Sequence, residues 1–169
     1  MDIAPTFNYT GHGSEGSKYK AVSDLRTCDI AKLIKKEIKA KYPNYKISVS
    51  TETFSGGSEI NIKINSFDKP INNQAFKYYS KNKLFNKPFN TWLREDNQNH
   101  DLYMTATNNQ LNGNISQYTP EADNLLKDLE KIANQYNFDD SDGMIDYFHT
   151  NYYLHVGFDY QYEKLDLNA

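Results

Sequence analysis

Four aspartates, Asp139, Asp140, Asp142 and Asp146, crowd one short stretch, and an aromatic run with Tyr147, Phe148, Tyr152 and Tyr153 follows at once. Carboxylates at that density could hold a divalent cation, do acid–base chemistry or meet a basic partner. Asp140-Ser141-Asp142-Gly143 fails the calcium-loop pattern. With Gly143 at the sixth position, the first would be Phe138 instead of an acid. A looser site from Asp139, Asp142 and Asp146 competes with a plainer reading, in which Asp142 or Ser141 caps a turn and the other acids face water. Buried and unpaired they would be costly.

Other chemistry-bearing types are scattered. His12, His100, His149 and His155 keep no H-x-E, H-E-x-x-H or C-x-x-C company, and His149 with Asp146 is the one acid–base pairing the spacing allows. Glu52, Glu59 and Lys63 fall on the polar side of alternating segments, where solvated charge is the expectation. Gly11, Gly13 and Gly16 spell G-x-G-x-x-G, but no apolar strand precedes them and no helix opens after them, so the dinucleotide reading is rejected. No nucleophile elbow, phosphate-binding loop or kinase signature occurs. The expectation is a protein that is not an enzyme and has no cofactor or metal. Its acids and tyrosines then read as partner contacts: Asp139, Asp140, Asp142, Asp146, Tyr147 and Tyr153.

A second candidate surface is basic. Ile30, Ala31, Ile34, Ile38 and Tyr42 recur at helical spacing, and Lys32, Lys35, Lys36 and Lys39 fall mostly off that stripe. Such a face is solvated surface or a seat for phosphates or an acidic partner. Charge is divided along the chain. Residues 1–94 hold sixteen Lys/Arg against eight Asp/Glu, and residues 95–169 hold three against fourteen, within a net charge of −3. That asymmetry points to charged partners.

The elements that must position these groups follow from pattern. Residues 1–26 show no periodicity and read as a flexible arm. Thr27 is expected to cap a helix that Pro43 stops, with Asp29 at its positive end. Lys46–Glu52 and Glu59–Ile64 alternate around Ser55-Gly56-Gly57-Ser58, which predicts a β-hairpin. Residues 72–83 suggest a short helix, 84–93 are irregular around Trp92, and 102–107 with 114–118 suggest a hairpin at Asn112-Gly113. Thr119-Pro120-Glu121 opens a second long helix, with Ala122, Leu125, Leu126, Leu129, Ile132, Ala133 and Tyr136 on one face. Tyr152–Phe158 alternates as a third strand, read as central, and residues 163–169 as a tail. The sum is an α+β fold: a mostly antiparallel sheet with two main helices on one face and a polar insertion at about 66–118, forming a single domain over 27–162. Lone Cys28 excludes an internal disulfide and fits a reducing cytoplasm. No apolar run is long enough to cross a bilayer, so no membrane partner is expected.

Four pieces resemble the large polyvalent protein-associated domain 29, a module of phage and conjugative-element proteins. They are DIAKLIKKEIKAKYPN, KISVSTETFSGGSEINIKI, QYTPEADNLLKDLEKI and YNFDDSDGMIDYFHTNYYLHV, covering most of 27–65 and 117–157. The last piece reads as the most specific. The resemblance implies an α+β fold and a mobile-element setting, and it brings no catalytic residues. Its context implies a counter-defence role in the bacterial host cytoplasm. The leading expectation is an anti-CRISPR protein that inhibits a host defence nuclease, Cas9 or its guide-RNA complex, by protein–protein contacts. The alternative is a small nucleic-acid-binding module that uses the basic helix 27–42 and hairpin 46–64.

Overall fold

A computed structural model describes residues 13–95, 110–111, 114–144 and 148–168. The fold is α+β with mostly antiparallel pairing, as the alternation of helical and two-residue periods requires. The chain forms two compact units from interleaved stretches. Described residues within Met1–Pro43, Ile47–Ile62 and Leu129–Val156 build the first, and those within Asn44–Lys46, Lys63–Asp128 and Gly157–Ala169 build the second.

In the first unit, α1 (Thr27–Lys41) buries Ile30, Ala31, Ile34 and Ile38 and lies against β2 (Ile47–Phe54). Thr27 is not its N-cap. Arg26 takes that place without a side-chain bond, and Thr27 is the first helical residue, because its Oγ1 pairs with Ser58 Oγ at 2.6 Å. β2 and β3 (Gly57–Ile64) form the expected hairpin, and Gly56 at its tip takes φ of 100°, a conformation that glycine adopts without strain. The three-stranded sheet runs β2-β3-β7, with β7 spanning Tyr153–Phe158. The strand read as central from its sequence therefore lies at an edge. β3 is central, and its Ile60 and Ile62 are fully buried.

The same unit holds the described part of the N-terminal arm. β1 (Ser14–Glu15) pairs antiparallel with β6 (Phe138–Asp139). A 3₁₀ turn at Tyr19–Ala21 follows, and the Tyr19 ring stacks on Phe138 at 5.4 Å. Lys18 Nζ donates to both Glu37 oxygens, at 2.9 and 2.7 Å. Two-residue strands and single anchors leave no periodicity in a sequence. α4 (Pro120–Asn134), capped by Thr119 Oγ1 accepting from Ala122 N, enters this unit with its last turns. There Tyr152, 1% exposed, donates its hydroxyl to Ala133 O at 2.6 Å.

In the second unit, α2 (Gln74–Lys81) is capped by Asn73, whose side chain accepts from Phe76 N. α3 (Phe89–Glu95) gives the irregular 84–93 stretch its structure. Ala75 and Tyr79 of α2 and Trp92 and Leu93 of α3 form a core, with Phe76, Leu84 and Phe89 packed against it. β4 (Gln110–Leu111) and β5 (Asn114–Ile115) pair antiparallel; Asn112-Gly113 and 102–107 lie outside the described residues. The sequence after Tyr162 continues a helix, α5 (Tyr160–Asn168), started by Asp159 Oδ1 accepting from Gln161 N at 3.1 Å. α5 docks through Asp166, which accepts from Ile71 N, Asn72 N and Asn72 Nδ2.

Candidate functional site

The buried stripe of α1 fixes its rotation, so Lys32, Lys35, Lys36 and Lys39 all stand exposed. Their spacing of three, four and seven residues is one helix stripe, about 10 Å long at 1.5 Å per residue. The helix holds two acids, and both are engaged. Asp29 accepts from Lys32 Nζ at 2.9 Å and Arg26 Nε at 3.1 Å, and those bonds hold its carboxyl below the usual range. Glu37, bonded by Lys18 and by the Tyr136 hydroxyl at 2.8 Å, is held low chiefly by the Lys18 bond. No described residue forms an ion pair with Lys35, Lys36 or Lys39. Three ammonium groups therefore share one face with no described counter-charge.

The acidic stretch is built differently. Asp139 is exposed, and its Oδ1 accepts from Ser141 N at 2.9 Å. Asp142 Oδ1 accepts from Met144 N at 2.9 Å. Both are local turn bonds of the kind aspartate makes with the backbone two residues on. Asp140 is fully buried, so its carboxylate is not presented at the surface. Its N–H donates to His149 O at 2.8 Å, and His149 N donates to Ser141 Oγ at 3.0 Å. Asp146 and Tyr147 lie outside the described residues. Tyr153 is half-buried, with its ring 6.0 Å from that of Phe54. The acids thus close a turn, while Met144 and Phe148 beside them are 93% and 63% exposed.

The remaining candidates are apart. His155 Nε2 lies 3.4 Å from Glu59 Oε2 on the sheet, and His149 sets its ring edge-on to Phe138. His12, His100 and the Asp146 partner proposed for His149 are outside the described residues. Among the described residues no three His, Cys, Asp or Glu side chains gather as metal ligands. Gly16 of the glycine motif is wedged against the end of α4, where a Cβ would meet Asn134 O at 2.2 Å. No described helix is long and apolar enough to cross a membrane.

A family model for the large polyvalent protein-associated domain 29 matches residues 25–118, more than half of the chain. The chain belongs to this family. The matched domain-29 region takes in α1, the β2–β3 hairpin, α2, α3 and the β4–β5 pair. It therefore includes the 66–118 stretch that reads from sequence as a polar insertion. The pieces QYTPEADNLLKDLEKI and YNFDDSDGMIDYFHTNYYLHV lie beyond its end apart from Gln117 and Tyr118. Of the candidate residues, the α1 lysines are inside the domain-29 match and the aspartates are outside it. No curated protein and no solved structure matches the chain.

Proposed function

We propose that this domain-29 protein is a non-enzymatic binding module of a mobile genetic element, working inside a bacterial cell, and that the lysine row of α1 seats a nucleic-acid backbone. The observation that supports this reading is the row itself: Lys35, Lys36 and Lys39 share one face of a helix whose own acids are already paired. From Lys35 to Lys39 the row rises about 6 Å, which spans about two phosphates of one strand at roughly 3.4 Å each. Fluorescence anisotropy with labelled DNA and RNA over a salt series tests it. Replacing Lys35, Lys36 and Lys39 together by Gln should weaken binding and lower the slope of log affinity against log salt by about 2–3. An unchanged slope, or no binding by the unaltered protein at low salt, removes the reading.

A second reading is inhibition of a defence nuclease, with Cas9 or its guide-RNA complex as partner. It is favoured by Met144 and Phe148, apolar side chains that contact with a protein would take out of water. Turn bonds on Asp139 and Asp142 and the burial of Asp140 favour contact through these apolar side chains over imitation of nucleic-acid charge by the acids. Co-purification with Cas9 and a cleavage assay separate the two. Met144→Ser with Phe148→Ser should release the nuclease while the α1 triple variant still holds it; cleavage that proceeds undisturbed in the presence of the unaltered protein excludes inhibition.

A further inference from the structure

The described residues of the second unit enclose an open cavity of about 600 Å³ between the end of α2 and the tail of α5. Gln74, Lys77, Tyr78, Lys81 and Lys83 line it from one side and Asn168 from the other, and none of the lining residues is acidic. That volume suits a small organic ligand. Lys77 lies 3.5 Å from Asp166, which leaves Lys81 and Lys83 as the cavity's net charge.

Two details set this place apart from an ordinary helix end. The first is backbone. Lys83 has φ of 54°, the one non-glycine residue with positive φ among the described residues. It occupies the position after the C-cap, where Lys83 N donates to Ser80 O and Leu84 N to Tyr79 O. This is the Schellman arrangement, whose left-handed residue is usually glycine. Asn82 supplies Tyr78 O with its backbone N–H and its side chain. The carbonyls of Tyr78, Tyr79 and Ser80 therefore have donors without any lysine side chain, so hydrogen-bond capping does not explain why a long cation stands where glycine fits better. The second is Tyr78. The residue is 46% exposed and lines the cavity, and its ring lies nearly parallel to that of Trp92, 19° and 5.9 Å away, so one face is supported.

We propose that this cavity binds a free mononucleotide, with its phosphates on Lys81 and Lys83 and its base against Tyr78. A non-glycine residue held at positive φ is the kind of position where function offsets backbone strain. An aromatic platform beside paired cations fits a base joined to phosphate. The site is separate from the α1 row and does not depend on it.

Trp92 is the chain's single tryptophan, and it touches the proposed platform, so its emission reports binding directly. Titration with ATP should change that emission saturably, and pyrophosphate should bind more weakly. Tyr78→Ala should bring ATP down to the level of pyrophosphate, read by equilibrium dialysis. Lys83→Gly is the decisive variant, because its two readouts move in opposite directions. It should raise the melting temperature by about 2–4 °C by relieving the positive φ, and weaken ATP by roughly ten- to a hundredfold. No saturable response to ATP overturns the proposal. So does a Lys83→Gly protein that is more stable and binds ATP as before, pyrophosphate that binds as tightly as ATP, or a short oligonucleotide that occupies the site more tightly than ATP.

Discussion

Gly16→Ala is expected to destabilise the protein by about 3–5 kcal/mol. A Cβ on Gly16 would lie 2.2 Å from Asn134 O, 2.4 Å from Gln135 O and 2.5 Å from Gln135 C, all backbone atoms that no rotamer change can move. Relief needs a shift of the N-terminal segment away from the end of α4. That shift breaks Gly16 N to Asn137 O at 2.8 Å and Lys18 N to Gln135 O at 2.7 Å. Overpacking costs about 1–3 kcal/mol and each lost hydrogen bond about 1 kcal/mol. The Lys18–Glu37 pair resists the displacement from the other side, so the strain has little room to dissipate. Denaturant unfolding measures the loss, and hydrogen exchange at Gly16 and Lys18 should show the amides opening early. A midpoint within experimental error of the unaltered protein, with both amides still protected, would show that the close approach is absent in solution.

Asp166→Ala has the other large expected effect, about 2–4 kcal/mol. The carboxylate accepts from Ile71 N at 3.1 Å, Asn72 N at 2.8 Å and Asn72 Nδ2 at 3.1 Å, and Lys77 lies beside it. Asn72 is only 1% exposed, so its donors would be stranded away from water. Unsatisfied buried groups cost about 1–3 kcal/mol each, less where water can enter. The pH dependence follows from the same contacts. Burial by itself raises the Asp166 pKa, but the bonds from Asn72 and Ile71 outweigh it and hold the carboxyl below the usual range. A depressed carboxyl adds stability above its unfolded value, near pH 4, and that stability is lost as the pH falls through the folded value. The unaltered protein and Asp166→Ala should therefore differ most near neutrality and converge in acid. Asp166→Asn, which keeps an acceptor oxygen without the charge, should fall between them. Parallel stability curves for the unaltered protein and Asp166→Ala from neutral pH into acid would disprove the linkage.

Long periodic segments were readable because their pattern repeats within the segment. α1, the hairpin and α4 each carry several turns or alternations of apolar residues, and α4 also has Thr119-Pro120 at its start. The exposed lysine row followed from the same register, since burying Ile30, Ile34 and Ile38 leaves those lysines nowhere else to point. Asp159, four residues ahead of Glu163, was an available capping signal for α5, but the polar residues after it mask the helix. The Tyr78–Lys83 corner gave no sequence signal. A positive φ at lysine belongs to the folded backbone, and α3, which supports Tyr78 through Trp92, is too short for a clear period.

By itself, then, the sequence determined the fold class, the long elements, the absence of any familiar catalytic motif and the basic face of α1. Tertiary structure alone decided which charges remain outside. Asp140 goes into the interior, Asp139 and Asp142 close turns, and Asp166 reaches backbone 94 and 95 positions away. It also placed β3 at the centre of its sheet and set Gly16 against α4. Periodicity reports the side of an element that is buried, because that is a property of neighbours along the chain. Which carboxylate finds a distant N–H, and which glycine a distant carbonyl, depends on contacts between segments far apart in sequence, and a local pattern does not encode them.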